Sequence, residues 1–239
     1  MVEEKITVVI PTLILEEQGL KLTQNTVQSI GDFALIVIDN ASPLGGGYLR
    51  SIADCYVRNN ENLGYAKAVN QGLKLATTRL VAVANNDIRV DRNWYVETIA
   101  AFAQTPTIGT LHFRMTDYDV PFTRGTTLAL TGKERWCTGS FFVLNKDTGL
   151  LFDEGFFNSY DDWDLGMRLR QGGWQTAYTD RSSYQHQHSH TQKLIAGREE
   201  NNRRNAEYFR KKHGKYAEEL FAEQYPAQMT ADYWGGFSL

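Results

Sequence analysis

Residues 80–87 constrain the fold of this chain strongly, because an apolar run there ends abruptly in Asn85, Asn86 and Asp87. The short length of the run and its two β-branched valines predict a buried strand rather than part of a helix. Ligands of open α/β sheets bind beyond the carboxyl ends of the strands, where a carboxylate can hold a cation against an anionic ligand. The three polar residues are also typical of a turn that leads into the next helix.

Composition limits the classes of protein to which the chain can belong. Its 239 residues, 42% of them hydrophobic, suffice for one sizeable domain or two closely packed lobes. A net charge of −3 gives no general attraction to nucleic acid or anionic membranes. Cys55 and Cys137 lack the spacing of a zinc site, so we expect reduced thiols. Without a leader sequence or membrane span, the sequence predicts a cytoplasmic protein, at most peripheral to the inner face of the membrane.

The first third of the chain alternates strands with helices. Apolar runs at residues 6–10, 34–38 and 55–57 predict strands, and residues 19–30 have partly helical spacing. This alternation favours a parallel sheet with helices on both faces. Asp39 lies at the end of the second strand, much as Asp87 follows the fourth. Asp39 could accept hydrogen bonds from a base or a ribose, or it could form a turn.

The order and spacing of several motifs resemble those of family 2 glycosyltransferases, particularly bacterial rhamnosyl- and galactofuranosyltransferases. The motifs are residues 10–12, 37–42, 60–66, 85–87 and 160–165. The likeness extends over about residues 5–190 and implies a GT-A fold, in which a Rossmann-like, mostly parallel central sheet is flanked by helices and joined by a smaller acceptor-side sheet and C-terminal helices. It divides the chain into a nucleotide-sugar half (1–110), an acceptor-binding and catalytic half (111–190) and a helical tail (191–239).

By this resemblance, the donor is a nucleoside diphosphate sugar of the UDP, dTDP or GDP type. The resemblance implies that ten residues bind it: Pro11, Thr12, Asp39, Asn40, Asn62, Gly64, Lys67, Asn70, Asn85 and Asn86. Asn62 is also a good N-cap for the helix that we expect over residues 64–76, so this residue has a structural explanation as well.

The resemblance also implies a divalent cation bound by Asp87. The chain departs from the family's aspartate-any-aspartate motif at Asn85, which carries no charge. Oxygen ligands favour Mg²⁺ or Mn²⁺, and a nitrogen ligand favours Mn²⁺. His186, in a histidine-rich tract, fits the position of a histidine ligand in relatives, with His188 as a rival on the same face of an extended chain. A solvated polar loop is the simpler interpretation of that tract.

The paired acids Asp161 and Asp162 match the acceptor side of the family. Acidic residues also suit the N-terminus of the helix expected over residues 162–170. Inverting transfer needs one general base near the acceptor hydroxyl, and our hypothesis is that Asp162 is this base, with Asp161 orienting it or the acceptor. The acceptor-binding candidates are Trp136, Gly139 and Trp163.

The remaining segments carry weaker signals. We expect a mobile loop over residues 114–124 that covers the donor. Residues 193–224 have a helical pattern, and the basic part, residues 198–215, indicates either a solvated helix or contact with an anionic acceptor, a membrane surface or DNA.

The sequence therefore predicts an inverting glycosyltransferase that acts on a hydroxyl of a glycan or lipid-linked sugar. Glycosylation of modified phage DNA and a noncatalytic sugar-nucleotide binding protein are alternatives. A sugar-1-phosphate nucleotidyltransferase is a further rival, but the first strand is followed by residues 11–14 with no glycine-rich phosphate loop.

Overall fold

The computed structural model describes residues 4–116, 127–130, 139–187, 194 and 197–214. The strands are β1 (Ile6–Thr12), β2 (Ala34–Asp39), β3 (Cys55–Arg58), β4 (Leu80–Ala84), β5 (Ile88–Val90), β6 (Ile108–Met115), β7 (Thr127–Leu130), β8 (Phe141–Asn145) and β9 (Gln175–His186). The helices are α1 (Glu17–Ile30), α2 (Gly46–Ile52), α3 (Tyr65–Leu75), α4 (Trp94–Gln104), α5 (Asp161–Gln171) and α6 (Arg198–His213).

The nine strands in the described part of the chain lie in one mixed sheet. Its order is β3-β2-β1-β4-β8-β6-β9-β5, with β7 also paired to β9. Strands β3, β2, β1 and β4 are mutually parallel, and β8 is antiparallel to β4. The predicted α/β class is confirmed. The strands on the acceptor side continue the central sheet, because β8 pairs directly with β4.

The sheet is buried on both faces, which explains the continuous apolar runs in its sequence. Leu80, Ala82 and Ala84 of β4 belong to the core cluster that includes residues of α1, α2 and α4. Val81 and Val83 face the opposite cluster, to which α3 and α5 contribute. Each residue of this strand therefore contacts a helix layer, as the sequence predicts.

Several boundaries differ from the sequence prediction. Strand β5 was not predicted, and it exists because it pairs with the far end of β9. The expected loop over residues 114–124 is wrong at its start, since Arg114 lies in β6. The rest of that loop, from residue 117 onward, lies outside the described residues. The histidine-rich tract begins within β9 rather than in a loop, because Tyr184 and His186 pair with β5.

Helix α6 packs against α5 and does not stand free in solvent. Phe209 is fully buried in a cluster with Phe156, Trp163 and Met167. Asp164 of α5, also fully buried, accepts hydrogen bonds from Arg168 and His213 and forms an ion pair with Lys212. A solvated helix is thus the wrong interpretation for the inner face of α6, where basic residues neutralise a buried carboxylate.

The described helices include none that is both long enough and apolar enough to cross a bilayer.

The packing of α3 on β1 predicts a stability effect at Gly72. A Cβ atom at this position would lie 2.3 Å from Cγ1 of Val9, so Gly72→Ala overpacks the core. We expect the free energy of unfolding in urea to fall by about 1–3 kcal/mol. In the matched control, Gly47→Ala in α2, the new Cβ meets nothing within 4 Å, and stability should be unchanged or rise by about 0.5–1 kcal/mol. Equal effects at the two sites would contradict this packing.

The buried charges around Asp164 predict an acid-sensitive contribution to stability. Burial raises the pKa of Asp164, but hydrogen bonds from His213 and Lys212 outweigh it, so the net pKa is lowered. A lowered carboxyl pKa stabilises the fold above the unfolded value near 4, and this contribution is lost as the pH falls through the folded pKa. We expect Asp164→Asn to cost roughly 2–4 kcal/mol at pH 7 and progressively less below pH ~4.

The exposed Asp32 provides the control, since Asp32→Asn should leave the free energy of unfolding unchanged at every pH. A penalty for Asp164→Asn that is constant between pH 7 and pH 3, measured by urea unfolding, would contradict the assigned ion pairs.

Candidate active site

The carboxyl ends of β1, β2 and β4 form one edge of the sheet, as expected for parallel strands. Thr12 pairs with Asp39 at this edge, and the backbone of Asn40 donates to the Thr12 carbonyl at 2.8 Å. Pro11 and Thr12 are buried, and the Thr12 hydroxyl donates to the carbonyl of Ile10 at 3.3 Å. The structure thus brings the first two predicted donor motifs together.

Asp39 is fully buried beneath other residues of this edge. Its carboxylate accepts hydrogen bonds from the Ser42 amide at 2.8 Å, from the Tyr56 hydroxyl at 2.7 Å, and from Arg58. The Arg58 side chain remains 43% exposed. A ligand at this edge would therefore meet the Arg58 guanidinium, while Asp39 holds that guanidinium in place.

Asn40 connects the edge to the turn before α3. Its side chain donates to the Gly64 carbonyl at 3.2 Å and accepts from Asn59 at 2.8 Å. Asn62 accepts a hydrogen bond from the Gly64 amide at 3.0 Å, so it acts in the turn itself. Gly64 has a φ of 85°, and a Cβ there would lie 2.7 Å from Phe157. Both observations require glycine at this position.

Three predicted donor residues have other surroundings. The side-chain nitrogen of Asn70 donates to the Phe152 carbonyl and to Glu154, and its side-chain oxygen accepts from the Phe152 amide. Asn86 donates to Thr23 of α1 at 3.0 Å. Lys67 is exposed on the outer face of α3. The side chains of Asn70 and Asn86 therefore stabilise the scaffold.

Asp87 and His186 lie side by side, as the sequence predicts. Oδ1 of Asp87 is 3.1 Å from Nε2 of His186, and the backbones meet where Gln187 donates to the Asp87 carbonyl at 2.9 Å. The Asn85 side-chain nitrogen is 3.5 Å from the same His186 nitrogen. Residues from β9 and from the end of β4, about a hundred positions apart in sequence, thus form one cluster.

The donor atoms of this cluster fit a divalent cation. Oδ1 of Asn85 is buried and accepts no hydrogen bond within the described part of the chain. Oδ1 of Asp87 is also buried, and its contact with Nε2 of His186 at 3.1 Å does not have hydrogen-bond geometry. A buried oxygen without a donor is costly unless a cation or ligand supplies the missing interaction. Among the described residues, no three or more His, Cys, Asp or Glu side chains are grouped so that they could hold a metal ion by themselves, so a cation here would take further ligands from a diphosphate and water.

Asp162 occupies the first turn of α5 with a defined orientation. Its Oδ2 accepts a hydrogen bond from the Gly139 amide and its Oδ1 from the Trp163 amide, both at 2.9 Å. Burial raises the pKa of Asp162 to about 6, although both amide hydrogen bonds oppose the shift. A carboxylate with this pKa is ionised at neutral pH and still basic enough to accept a proton.

Asp161 differs from its neighbour in its hydrogen bonding. Its Oδ1 accepts from the Asp162 amide at 2.9 Å, whereas its buried Oδ2 has no hydrogen-bond partner among the described residues. Burial and the charge of Asp162 raise the pKa of Asp161 well above its ordinary value. Environments that give two adjacent carboxyl groups different pKa values are typical of acid–base sites.

Gly139 and Ser140 connect the cluster of Asn85, Asp87 and His186 to the adjacent acids Asp161 and Asp162. The backbone amide of Asn85 donates to the Ser140 carbonyl at 2.8 Å. The backbone amide of Gly139, which precedes Ser140, donates to the Asp162 carboxylate. The Ser140 hydroxyl lies 2.7 Å from the hydroxyl of Tyr184, which precedes His186 by two positions on β9. One short segment therefore fixes both halves of the candidate site.

Tyr65 is a member of this site that the sequence prediction missed. Its hydroxyl donates to the Gly139 carbonyl, and its pKa is raised by burial and by the charges of Asp161 and Asp162. Tyr184 was missed as well, because the contact that gives it a role, with the hydroxyl of Ser140, connects positions 44 residues apart.

The residues predicted to bind the acceptor have different surroundings in the structure. Gly139 lies beside Asp162, as expected. Trp163 is only 6% exposed and packs with Phe156, Met167 and Phe209, so its ring faces α6 and not an acceptor. Trp136 and His188 lie outside the described residues.

Comparison with solved structures supports the fold. A mannosyltransferase from Pyrobaculum calidifontis, solved with GDP-Man and Mn²⁺, is 17% identical with a TM-score of 0.65, covering 90% of this chain and 64% of that chain. TarS 1-349 of S. aureus, solved with UDP, is 16% identical with a TM-score of 0.59, covering 96% and 78%. Similarity at this identity shows the shared fold. No curated protein sequence matches the chain.

The family model described as glycosyl transferase family 2 matches residues 7–161. This segment extends from β1 to Asp161 and includes the three strand ends, Asn85, Asp87, Gly139 and Ser140, whereas Asp162 and His186 lie beyond it. The match covers more than half of the 239 residues, and the chain belongs to glycosyltransferase family 2.

Proposed function

We propose that this glycosyltransferase moves a sugar, with inversion, from a nucleoside diphosphate sugar to a hydroxyl of a glycan or lipid-linked acceptor. The observation that carries the proposal is the placement of Asp162, which is half-buried at the start of α5 and accepts hydrogen bonds from the Gly139 and Trp163 amides; burial raises its pKa to about 6. It is tied through Gly139 and Ser140 to the cluster of Asn85, Asp87 and His186. A base joined in this way to a cluster that can hold a cation, and through the cation a diphosphate, suits displacement of a diphosphate by a hydroxyl.

In the proposed donor site, the nucleotide lies along the carboxyl ends of β1, β2 and β4. Thr12 and Asn40 line this edge, and Arg58, held by Asp39, offers hydrogen-bond donors to carbonyl groups of a base. Uracil, thymine and guanine all present carbonyl oxygens on their pairing edges. The relatives with GDP-Man and with UDP or UDP-GlcNAc bound are compatible with these bases.

Asp87 and His186 would hold Mn²⁺ or Mg²⁺ together with the diphosphate, and Asn85 would orient a metal-bound water or the ribose. A bound cation offsets the negative charge that develops on the departing nucleoside diphosphate. The nitrogen ligand favours Mn²⁺. The mannosyltransferase and GalNAc-T7 structures contain Mn²⁺, in agreement with this choice.

Asp162 performs the proton transfer in this proposal. It accepts the proton of the acceptor hydroxyl while the hydroxyl oxygen forms a bond to the anomeric carbon, and the bond from that carbon to the diphosphate breaks. The Gly139 amide and the Trp163 amide hold the carboxylate in one orientation. Asp161 keeps its second oxygen available for the acceptor or for Asp162.

Transfer should depend on the ionisation of Asp162. Because its pKa is about 6, the active ionised form is lost as the pH falls through 6. We expect kcat/KM to fall about tenfold per pH unit below that value and to level off above it, because kcat/KM reports the ionisation of the free enzyme. Asp162→Asn should lower transfer by roughly a hundredfold or more and leave donor binding intact. The measurement is the pH profile of kcat/KM.

The control for this variant is Asp32→Asn, which changes an exposed aspartate before β2, at the opposite edge of the sheet from the site. Its rate and profile should match those of the unmodified protein. Full activity of Asp162→Asn would refute the base assignment. Donor binding without hydrolysis or transfer under any condition would favour the noncatalytic alternative.

Donor binding should depend on a cation held by Asp87 and His186. We expect one of UDP, dTDP or GDP to raise Tm in the presence of Mn²⁺, by about 5–10 °C at a hundred times its Kd. CDP serves as the comparison nucleotide. Asp87→Asn and His186→Ala should each reduce the Mn²⁺-dependent rise to under about 2 °C.

Gln185→Ala is the matched control for this measurement, because Gln185 is exposed on the other face of β9 beside His186. It should keep the whole Mn²⁺-dependent rise. An undiminished rise in both site variants would show that the cation binds elsewhere.

A further inference from the structure

The loop that leads into α5 has a strained backbone. Asn158 and Tyr160 have φ angles of 60° and 67°, in the left-handed region. Neither residue is glycine, and a bulky residue such as Tyr160 adopts this conformation only where its surroundings impose it. Tyr160 is the N-cap of α5, directly before Asp161 and Asp162. The conformation of the loop therefore sets the position of the acid pair.

Asn205 of α6 makes an extensive set of contacts with this loop. Its side chain is completely buried. Its Nδ2 donates to the Phe157 carbonyl at 2.9 Å, to the Ser159 carbonyl at 3.1 Å and to the Ser159 hydroxyl at 2.8 Å. Its Oδ1 accepts from the Phe157 amide at 3.4 Å. One buried side chain thus forms four hydrogen bonds with two residues of a half-buried turn.

The opposite side of the loop contacts the start of α3. Asn158 accepts a hydrogen bond from the Tyr65 amide at 2.8 Å, and Phe157 packs directly on Gly64. The loop is therefore held between α6 and the turn that contributes Tyr65 to the site. Helix α6 is itself anchored by Phe209 and by the ion pair of Lys212 with Asp164, so Asn205 has a rigid support.

We propose that Asn205 is a positioning residue for sugar transfer: from α6 it holds residues 157–160 in the conformation that brings Asp162 to the Gly139 amide. This inference rests on the function proposed above. It assigns a role in the reaction to a helix that lies beyond residues 7–161, the part of the chain matched by the family model.

The test compares Asn205→Ala with Asn202→Ala. Asn202 lies one turn earlier on α6 and makes no side-chain hydrogen bond within the described part of the chain. In the ligand-free protein, Asn205→Ala should speed amide exchange at Phe157 about tenfold. Carboxyl NMR titration should show the pKa of Asp162 falling by about one unit as water reaches the turn. With donor and acceptor, kcat should fall about tenfold at an unchanged donor KM.

Each outcome bears on the inference. The inference would be overturned if amide exchange at Phe157 and the pKa of Asp162 in Asn205→Ala both matched those of the unmodified protein. It would also be overturned if amide exchange became faster evenly over the whole fold and the donor KM rose with it. If Asn205→Ala does not fold, Ser159→Ala removes only one of the four hydrogen bonds and should change the same three quantities about twofold; no change would overturn the inference. Absence of transfer by the unmodified protein would refute the proposed function alone, since exchange and titration are measured without substrate.

Discussion

Strand β4 is the constraint on which the rest of the structure depends. All five of its residues are buried, and it is parallel to β1 on one side and antiparallel to β8 on the other. Because β8 runs in the opposite direction, its beginning lies beside the end of β4, so Ser140 meets Asn85. This reversal brings the edge formed by the parallel strands next to the helix that carries Asp162. A fully parallel sheet would place a carboxyl end there instead.

The site concentrates polar groups that a stable core would exclude. Oxygens of Asn85 and Asp161 are buried without a hydrogen bond among the described residues, and two adjacent carboxyl groups have raised pKa values. Each feature destabilises the free protein, and the apolar layers on both faces of the sheet offset that cost. Such unsatisfied groups persist where they serve a ligand or a reaction. Helix α6 adds to this support, since its buried face holds both the acidic helix and the loop before it.

The sequence predicted the elements and the acidic residues of the site well, and their surroundings less well. Buried strands and the helix at residues 161–171 are local patterns of apolar spacing, which one segment reveals by itself. The pairing of Asp87 with His186 was also predicted, although only by resemblance. Trp163 was predicted to bind the acceptor, but it packs against Phe209 of α6. No local sequence pattern predicts that α6 packs there. Strand β5 was missed because three residues become a strand only when β9 pairs with them.

By itself, the sequence determined the alternation of strands and helices in the first third of the chain and the chemical groups available at the strand ends, because both follow from short-range spacing and residue type. The tertiary structure alone decided which of those groups reach the site. Asn70 and Asn85 both belong to motifs of the family, yet Asn70 binds Phe152, 82 positions away, while Asn85 lies beside His186, 101 positions away. Partners at such separations are set by how the sheet closes and the helices dock, and the same packing raises the pKa of Asp162 by excluding water from it.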